Sequence, residues 1–415
     1  MLLPVFSCTG AAATKPSTID STALVSLVAL DEPGDTIIHE VQNLSLSPDG
    51  QEVLLVDEST GRGSIFSRSG RLIRSYYFSA SMSDSIVAIN PHFFDHLVLM
   101  RGDHIRDSIG RAMPLLLQRK NLPNALENGI FLNDTEVLLA GHVLAFARAR
   151  EDPSFSMPTN IAKFTTLVIA NTRDGKYRII PTEHQRVNEY QIYQECNGLT
   201  CSRDRSVVYL DEEYWLGFKK NLYDSMWAVA SFASSGKKLV DLALLPPECH
   251  NSVIDYGNMR PHLCLDSSDH PHAAFNTLPR IYDLANRTSF ELKNLPFNND
   301  TFFRAGKTVF MRHQKSVNMD SIGALIRVWM LNISVSKRNT IIAVTSNKIQ
   351  WYPWKYIFVI QEYSLDGDLL KQMELPYNLS IGMPLYATYD PQNDQVLVTV
   401  QSPDGWKLAT YRWGN

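Results

Sequence analysis

Cysteine is scarce in this 415-residue chain, and neither sign of charge dominates it. The sequence has 5 cysteines, 39 Lys and Arg, and 43 Asp and Glu, which gives a formal net charge of -4. Five scattered cysteines exclude a disulfide scaffold and a zinc ribbon. A nearly balanced charge gives no long-range attraction to polyanions, so the composition argues against nucleic-acid binding.

The sequence also lacks long apolar runs and long amphipathic helices. No apolar run approaches the ~20 residues that a bilayer-spanning helix needs, so we expect no transmembrane helix. No amphipathic helical pattern of three or more turns is evident, which disfavours an α/β enzyme with a parallel sheet. With 44% hydrophobic residues the chain should form a packed core. Its length predicts either several domains of ~150 residues or one large repeat architecture.

Motifs of the common enzyme classes are absent as well. The chain has no Gly-x-Ser-x-Gly nucleophile elbow, no P-loop and no Gly-x-Gly-x-x-Gly after a strand. Asp-Gly pairs occur at Asp49, Asp174, Asp366 and Asp404, but none begins a calcium-binding loop, so we interpret them as turns. Motifs therefore assign no catalytic residue, and no cofactor is predicted.

What the sequence does contain is a repeated pattern of short strands and tight turns. Between residues 41 and 78, four short apolar runs are separated by turn residues, including Ser47-Pro48-Asp49-Gly50. Four strands in up-and-down order are typical of one blade of a β-propeller. The pattern recurs to the end of the chain, clearly over residues 326–375. It predicts an all-β fold, a single β-propeller of four-stranded antiparallel blades.

Seven repeat units can be counted, so seven blades are favoured and six are the alternative. The least defined unit spans residues 84–122, where residues 112–118 are either its third strand or part of an insertion. The last unit shows three strands, and residues 23–29 are predicted to supply the fourth and close the ring. Two β-sandwich domains are a weaker alternative, because they do not explain the recurring Asp-Gly turns. Residues 23–415 would then form the propeller, preceded by a signal-like start and tether at residues 1–22.

The cysteines and histidines give two further hypotheses. Cys8 follows a short apolar stretch and precedes a polar segment, which is typical of the lipidated cysteine of a bacterial lipoprotein; an ordinary N-terminal region is the alternative. The other cysteines could form local disulfides, Cys196 with Cys201 and Cys249 with Cys264, in an oxidising compartment. A set of four histidines could form a metal site or an acid–base centre, with structural roles as the alternative. These are His250, His262, His270 and His272.

Long connections between the predicted strands would lie on the propeller faces, where loops carry binding specificity. Basic and aromatic residues are concentrated in these connections. The candidates for ligand contact are His184, Arg186, Tyr214, Trp215, Arg304, Arg312 and His313. Such side chains suit a polar or carbohydrate-like ligand, and a solvated rim without a ligand is the alternative.

The chain resembles the NHL/TolB-like β-propeller lipoproteins of Bacteroidota, a group usually described as six-bladed. The resemblance depends on Cys8, on the segment Leu-Ser-Leu-Ser-Pro-Asp-Gly that ends at Gly50, and on Ser-Leu-Asp-Gly-Asp-Leu-Leu that ends at Leu370. It implies a periplasmic or surface location, with a lipid anchor as the attachment to the membrane, and a monomer or a subunit of an envelope complex. Because of the repeat architecture, the missing catalytic motifs and the possible anchor at Cys8, we expect a module that binds a protein or glycan on one face. A lyase or hydrolase acting on a polar polymer or glycan is the alternative.

Overall fold

Short antiparallel strands dominate the computed structural model of the chain. It describes residues 24–31, 41–57, 60–77, 125–147, 160–182, 186–187, 190–214, 227–250, 252, 260–311, 319–351, 354–376 and 383–413. Continuous apolar runs become strands that are buried on both faces. In the run Val53-Leu54-Leu55-Val56, neighbouring side chains point to opposite sides of the sheet, and all four are buried. Each sheet is therefore covered by another sheet on either side.

The strands form six sheets, each an up-and-down blade. Blade 1 contains β2 (Val41–Leu46), β3 (Glu52–Asp57), β4 (Arg62–Ser67) and β5 (Leu72–Tyr77). Blade 2 contains β6 (Ala125–Asn133), β7 (Glu136–Ala147), β8 (Asn160–Asn171) and β9 (Tyr177–Pro181). Blade 3 contains β10 (Arg186–Val187), β11 (Tyr190–Cys201), β12 (Val207–Tyr214), β13 (Trp227–Ala233) and β14 (Lys238–Leu244).

The other three blades follow in chain order. Blade 4 contains β15 (Pro261–Leu265), β16 (Pro271–Phe275), β17 (Leu278–Asp283) and β18 (Thr288–Glu291). Blade 5 contains β19 (Val328–Val335), β20 (Ile341–Trp351), β21 (Trp354–Tyr363) and β22 (Leu369–Pro376). Blade 6 contains β23 (Met383–Asp390), β24 (Gln395–Ser402), β25 (Gly405–Arg412) and β1 (Leu24–Ala29).

The propeller has six blades, so the favoured count of seven is wrong and the alternative of six is confirmed. The innermost strands contact one another in the closed order β2, β6, β11, β15, β19, β23 and back to β2. Because β2 touches β6 directly, through Asn43 Nδ2 donating to Gly129 O at 2.6 Å, no blade fits between them. Residues 84–122, counted as the second unit, lie outside the described residues.

The last blade is closed by the N-terminal strand, as predicted. Strand β1 pairs antiparallel with β25, with Leu27 opposite Ala409 and Ala29 opposite Lys407. The sheet order β1-β25-β24-β23 makes β1 the outer strand of blade 6. The two ends of the chain are thereby joined in one sheet, which protects the edge of β25.

At one end of the propeller, which we call the turn end, each blade has the tight turn between its first two strands. Neighbouring turns are hydrogen-bonded to each other all around the ring. The contacts are Asp49 N to Asp134 Oδ1 (3.2 Å), Arg205 Nη1 to Glu136 Oε2 (2.7 Å), Arg203 N to Asp269 Oδ1 (3.4 Å), Ser267 N to Asn339 Oδ1 (2.6 Å), Lys337 Nζ to Gln392 O (2.7 Å) and Gln392 Nε2 to Pro48 O (3.1 Å). The turn end is therefore a continuous rim of short turns.

At the opposite end, which we call the connection end, the blades are linked to one another. The longest described connection contains helix α1 (Asp300–Met311) and helix α2 (Met319–Gly323). This region was predicted to lack helices of three turns, and α1 shows that prediction to be wrong. Phe302 and Phe303 of α1 are buried in the core cluster that also contains Phe275. Tertiary packing thus stabilises a helix whose sequence signal is weakened by Gly306.

The core lies in layers between blades. Val53, Leu55 and Phe66 of blade 1 pack against blade 6, whereas Leu54 and Val56 pack against blade 2. Since a single blade cannot bury both of its faces, stability depends on closure of the ring. No helix in the described parts of the chain is long and apolar enough to cross a membrane.

Candidate functional site

The first strands of the six blades surround an axial channel with a volume of about 310 Å³. Its lining is largely polar. The polar residues that line it are Asn43, Ser45, Asn128, Thr200, Arg203, His262, Asp266, Asp269, Asn332, Ser334 and Thr388. Most of them lie on the first strands, whose alternate residues face the axis, whereas Arg203, Asp266 and Asp269 lie in the turns that follow. The channel is the first candidate for a ligand site.

Several amides in the channel link neighbouring blades. Asn43 donates to Asn128 and to Gly129 O, joining β2 to β6. Asn332 Nδ2 donates to Ala387 O at 2.5 Å, joining β19 to β23. Asn332 interrupts the otherwise apolar run from Val328 to Ile333, so this position is marked in the sequence. A buried amide in such a position needs a partner, and the neighbouring strand provides it.

His262 is the histidine that lines the channel, and it also links two blades. Its Nε2 lies 3.1 Å from Met330 O, so this nitrogen carries the proton and donates to the carbonyl. Burial lowers the pKa of His262 to about 4, although contacts with Asn276 and Met330 act in the opposite direction. The imidazole is therefore neutral at pH 7, with one nitrogen bound to main chain.

The structure does not bring together the four histidines of the predicted metal site. His250 Nε2 lies 3.1 Å from Leu245 O at the connection end, far from the turn that holds the other pair. At the turn end, Asp266 Oδ2 lies 3.6 Å from His270 Nδ1 and 3.7 Å from His272 Nε2. Among the described residues there is no group of three His, Cys, Asp or Glu side chains that could hold a metal ion.

Three cysteines whose side chains the structure describes form no disulfide bond. Cys201, Cys249 and Cys264 form no disulfide, so neither predicted pair is present. Cys249 lies in the core cluster with Phe275, whereas Cys264 packs on the opposite side of blade 4 with Met330. Burial raises the pKa of Cys201 to about 11 and that of Cys264 still further. Cys196 lies on β11, and Cys8 is outside the described residues.

The predicted ligand-contact residues divide into two groups. Arg186 lies on β10, Tyr214 ends β12, and Arg304 is exposed on α1. These three positions belong to the connection end, not to the channel lining. His184, Trp215, Arg312 and His313 lie outside the described residues. The predicted contact surface as a whole therefore stays a prediction, because only three of its seven residues are described.

A second cavity, which sequence reasoning missed, lies between blades 5 and 6. It has a volume of about 320 Å³, and Arg327, Trp329, Lys348 and Tyr386 are among its lining residues. Lys348 N donates to Arg327 O at 2.8 Å, which places these two basic residues side by side. Burial and the charge of Arg327 lower the pKa of Lys348. In the sequence, this cavity is marked only by two basic residues, Arg327 just before β19 and Lys348 near the end of β20. These two strands pair as a hairpin.

Comparison of the sequence with known protein families and with curated proteins found no match. The fold, however, is similar to that of solved structures. A member of the DUF4221 family from Bacteroides vulgatus is 11% identical, with a TM-score of 0.51 over 94% of this chain and 97% of that one. A protein from Bacteroides fragilis that is inferred to be exported is 10% identical, with a TM-score of 0.50 over 96% and 98% of the two chains. At this identity the similarity extends to the propeller fold alone.

Proposed function

We propose that this chain is an extracytoplasmic β-propeller that binds a protein or glycan partner at its connection end. The observation that supports this most directly is the difference between the two ends. At the turn end, short turns are bound to each other around the whole ring, as between Ser267 and Asn339 at 2.6 Å. At the connection end, the strands lead into the long connections between strands and between blades. Loops on a rigid scaffold are where recognition residues are usually placed.

Several polar side chains of the axial channel link blades, which favours a structural role for them over a role in the alternative lyase or hydrolase. His262 is neutral and donates to Met330 O, so its Nε2 is not a base. Asn43 and Asn332 use their amides to join blades. A general base needs a free lone pair within reach of the substrate proton. Asn43, Asn332 and His262 Nε2 use these contacts to hold the ring together, and we expect the partner surface outside the channel.

The extracytoplasmic location is part of the same proposal. It is supported by the sequence around Cys8, which resembles a lipoprotein processing site. Its second support is the structural similarity to the Bacteroides fragilis protein inferred to be exported. Metabolic labelling with a clickable palmitate analogue tests the anchor. Wild-type protein should be labelled and Cys8→Ser should not, and equal labelling of both would contradict lipidation at this cysteine.

Site-specific photo-crosslinking tests the binding end. A benzoylphenylalanine introduced at Arg304, exposed on α1, is compared with one at Arg338, exposed in a turn at the other end. Cells carrying each variant are irradiated and the adducts are identified by mass spectrometry. We expect a defined protein or glycan adduct from position 304 and none from position 338. Adducts from position 338 alone, or none from either position, would refute the proposed binding end.

A further inference from the structure

The cavity between blades 5 and 6 combines a basic side with an aromatic side. Six residues define it for this argument: Gly323, Arg327, Trp329, Lys348, Phe358 and Tyr386. We propose that it binds a small carboxylate with a flat, apolar body, such as an aromatic carboxylic acid. The cavity lies at the connection end, and this proposal does not depend on the partner binding proposed above.

The charges on the basic side favour an anion. Arg327 and Lys348 are the charged residues in the lining, and no acidic residue lines the cavity within the described chain. Arg327 directly precedes β19, and Lys348 of the paired strand β20 donates from its N to Arg327 O at 2.8 Å, so the like charges are held close together. Burial and the charge of Arg327 both disfavour the protonated form of Lys348 and lower its pKa. A carboxylate between the two groups would offset this repulsion and favour the protonated form of Lys348.

The aromatic side favours a flat, apolar body over a bare inorganic ion. Trp329, Phe358 and Tyr386 are aromatic residues of its lining. Phe358 is almost fully buried, so this part of the wall belongs to the core. Aromatic side chains and a few well-placed polar groups are the usual lining of small-molecule sites, and the volume of about 320 Å³ is within their range. A sulfate or phosphate ion would leave most of this apolar surface uncovered.

The basic side is held in place before any ligand arrives. Asn299 Oδ1 accepts from Arg327 N at 2.7 Å and from Val328 N at 3.0 Å, and its Nδ2 donates to Val328 O at 2.6 Å. The Arg327 guanidinium lies 5.7 Å from the centre of the Phe297 ring. These contacts fix the start of β19, which carries Arg327 and Trp329 into the cavity. Preorganisation of this kind reduces the entropic cost of binding.

Gly323 provides a way to fill the cavity without changing its charges. A Cβ atom added at Gly323 would meet no other atom within 4 Å, so a side chain there enters open space. Because Gly323 lines the cavity, Gly323→Leu is expected to narrow it while Arg327 and Lys348 remain. Lys348→Met removes one charge at similar volume. Lys307→Met, on the exposed side of α1, is the matched control for loss of a lysine.

Isothermal titration calorimetry with 3-phenylpropionate tests the proposal on the full chain. We expect a Kd below ~1 mM for wild type and for Lys307→Met, and at least ~10-fold weaker binding for Lys348→Met and for Gly323→Leu. Neutral 3-phenylpropionamide and inorganic sulfate should each bind at least ~10-fold more weakly than 3-phenylpropionate. Circular dichroism melting of each variant checks that it is folded. Failure of wild type to bind, equal binding of the amide, or unchanged affinity in folded Lys348→Met or Gly323→Leu would each overturn the site.

Discussion

Arg68 Nη1 donates to Asp390 Oδ2 at 2.9 Å and joins the first blade to the last across 322 positions of sequence. The Asp390 side chain is fully buried, and Arg68 also donates to Gln395 Oε1 at 2.8 Å. This ion pair lies at the joint where the ring closes. At this joint, blade 1 packs against blade 6, whereas every other pair of neighbouring blades is consecutive in sequence.

Loss of Arg68 should destabilise that joint. In Arg68→Met the buried Asp390 carboxylate keeps its bonds from Gln392 N and Asn393 N but loses its cationic partner. We expect the free energy of unfolding to fall by about 1–3 kcal/mol, measured by urea denaturation. Arg338→Met removes an exposed arginine from a turn and should change stability by less than about 0.5 kcal/mol. Equal effects of the two substitutions would show that the ion pair does not stabilise the closure.

Gly70 controls a second contact near the closure. It has a φ of +85°, and a Cβ atom built on it would lie 2.0 Å from Ala29 O. We expect Gly70→Ala to cost about 2 kcal/mol or more, because the new methyl group pushes β1 away from blade 1 and the backbone is strained. The measurement is the midpoint of thermal unfolding.

Gly323→Ala is the matched control for Gly70→Ala. Its added Cβ meets nothing within 4 Å, and the residue ends a helix. Its midpoint should be equal to that of wild type or slightly higher. If Gly70→Ala had the same unfolding midpoint as Gly323→Ala, the backbone near Ala29 would be able to move aside without loss of stability.

The blade pattern could be predicted from the sequence because its signals are local. Runs such as Val396-Leu397-Val398, bounded by turn residues, specify strands wherever they occur. The number of blades could not be predicted from local patterns. Residues 84–122 contain strand-like runs, and it is the direct contact of β2 with β6 that excludes a blade between them. Helix α1 was missed for a related reason: Phe302 and Phe303 are helical because the core beside Phe275 receives them.

The candidate sites were harder to predict than the fold. The four candidate histidines are close in sequence but lie in three different places. His250 is at the connection end, His262 lines the channel, and His270 and His272 are near Asp266 at the turn end. Arg327 and Lys348 come together only because β19 and β20 form a hairpin whose register places Val328 opposite Asn347. That register depends on a bulge between Met330 and Asn332, which the sequence does not mark.

The pKa of His262 predicts a dependence of stability on pH. Its folded pKa is about 4 and its ordinary value is 6.5, so between these values the unfolded chain binds a proton that the folded chain does not. Stability should therefore fall as the pH falls from about 6.5 to about 4, by up to ~2–3 kcal/mol from this group. His262→Gln keeps a donor for Met330 O but does not titrate. Urea denaturation from pH 7 to pH 4 should show a smaller loss in the variant, and parallel losses would contradict the assignment.

Removal of β1 should expose the edge of β25 and open the ring. Residues Lys407 to Tyr411 would lose the partners that they have in Leu24–Ala29. Unpaired main-chain groups on an outer strand promote association with other chains. We expect deletion of residues 24–29 to lower the unfolding midpoint by about 5 °C or more and to produce oligomers in size-exclusion chromatography. Val25→Thr with Leu27→Thr, which changes two exposed side chains and keeps the strand, should remain monomeric with a midpoint near that of wild type. If the deletion is monomeric and equally stable, the ring is held by its blade contacts alone, and pairing of β1 with β25 adds nothing to closure.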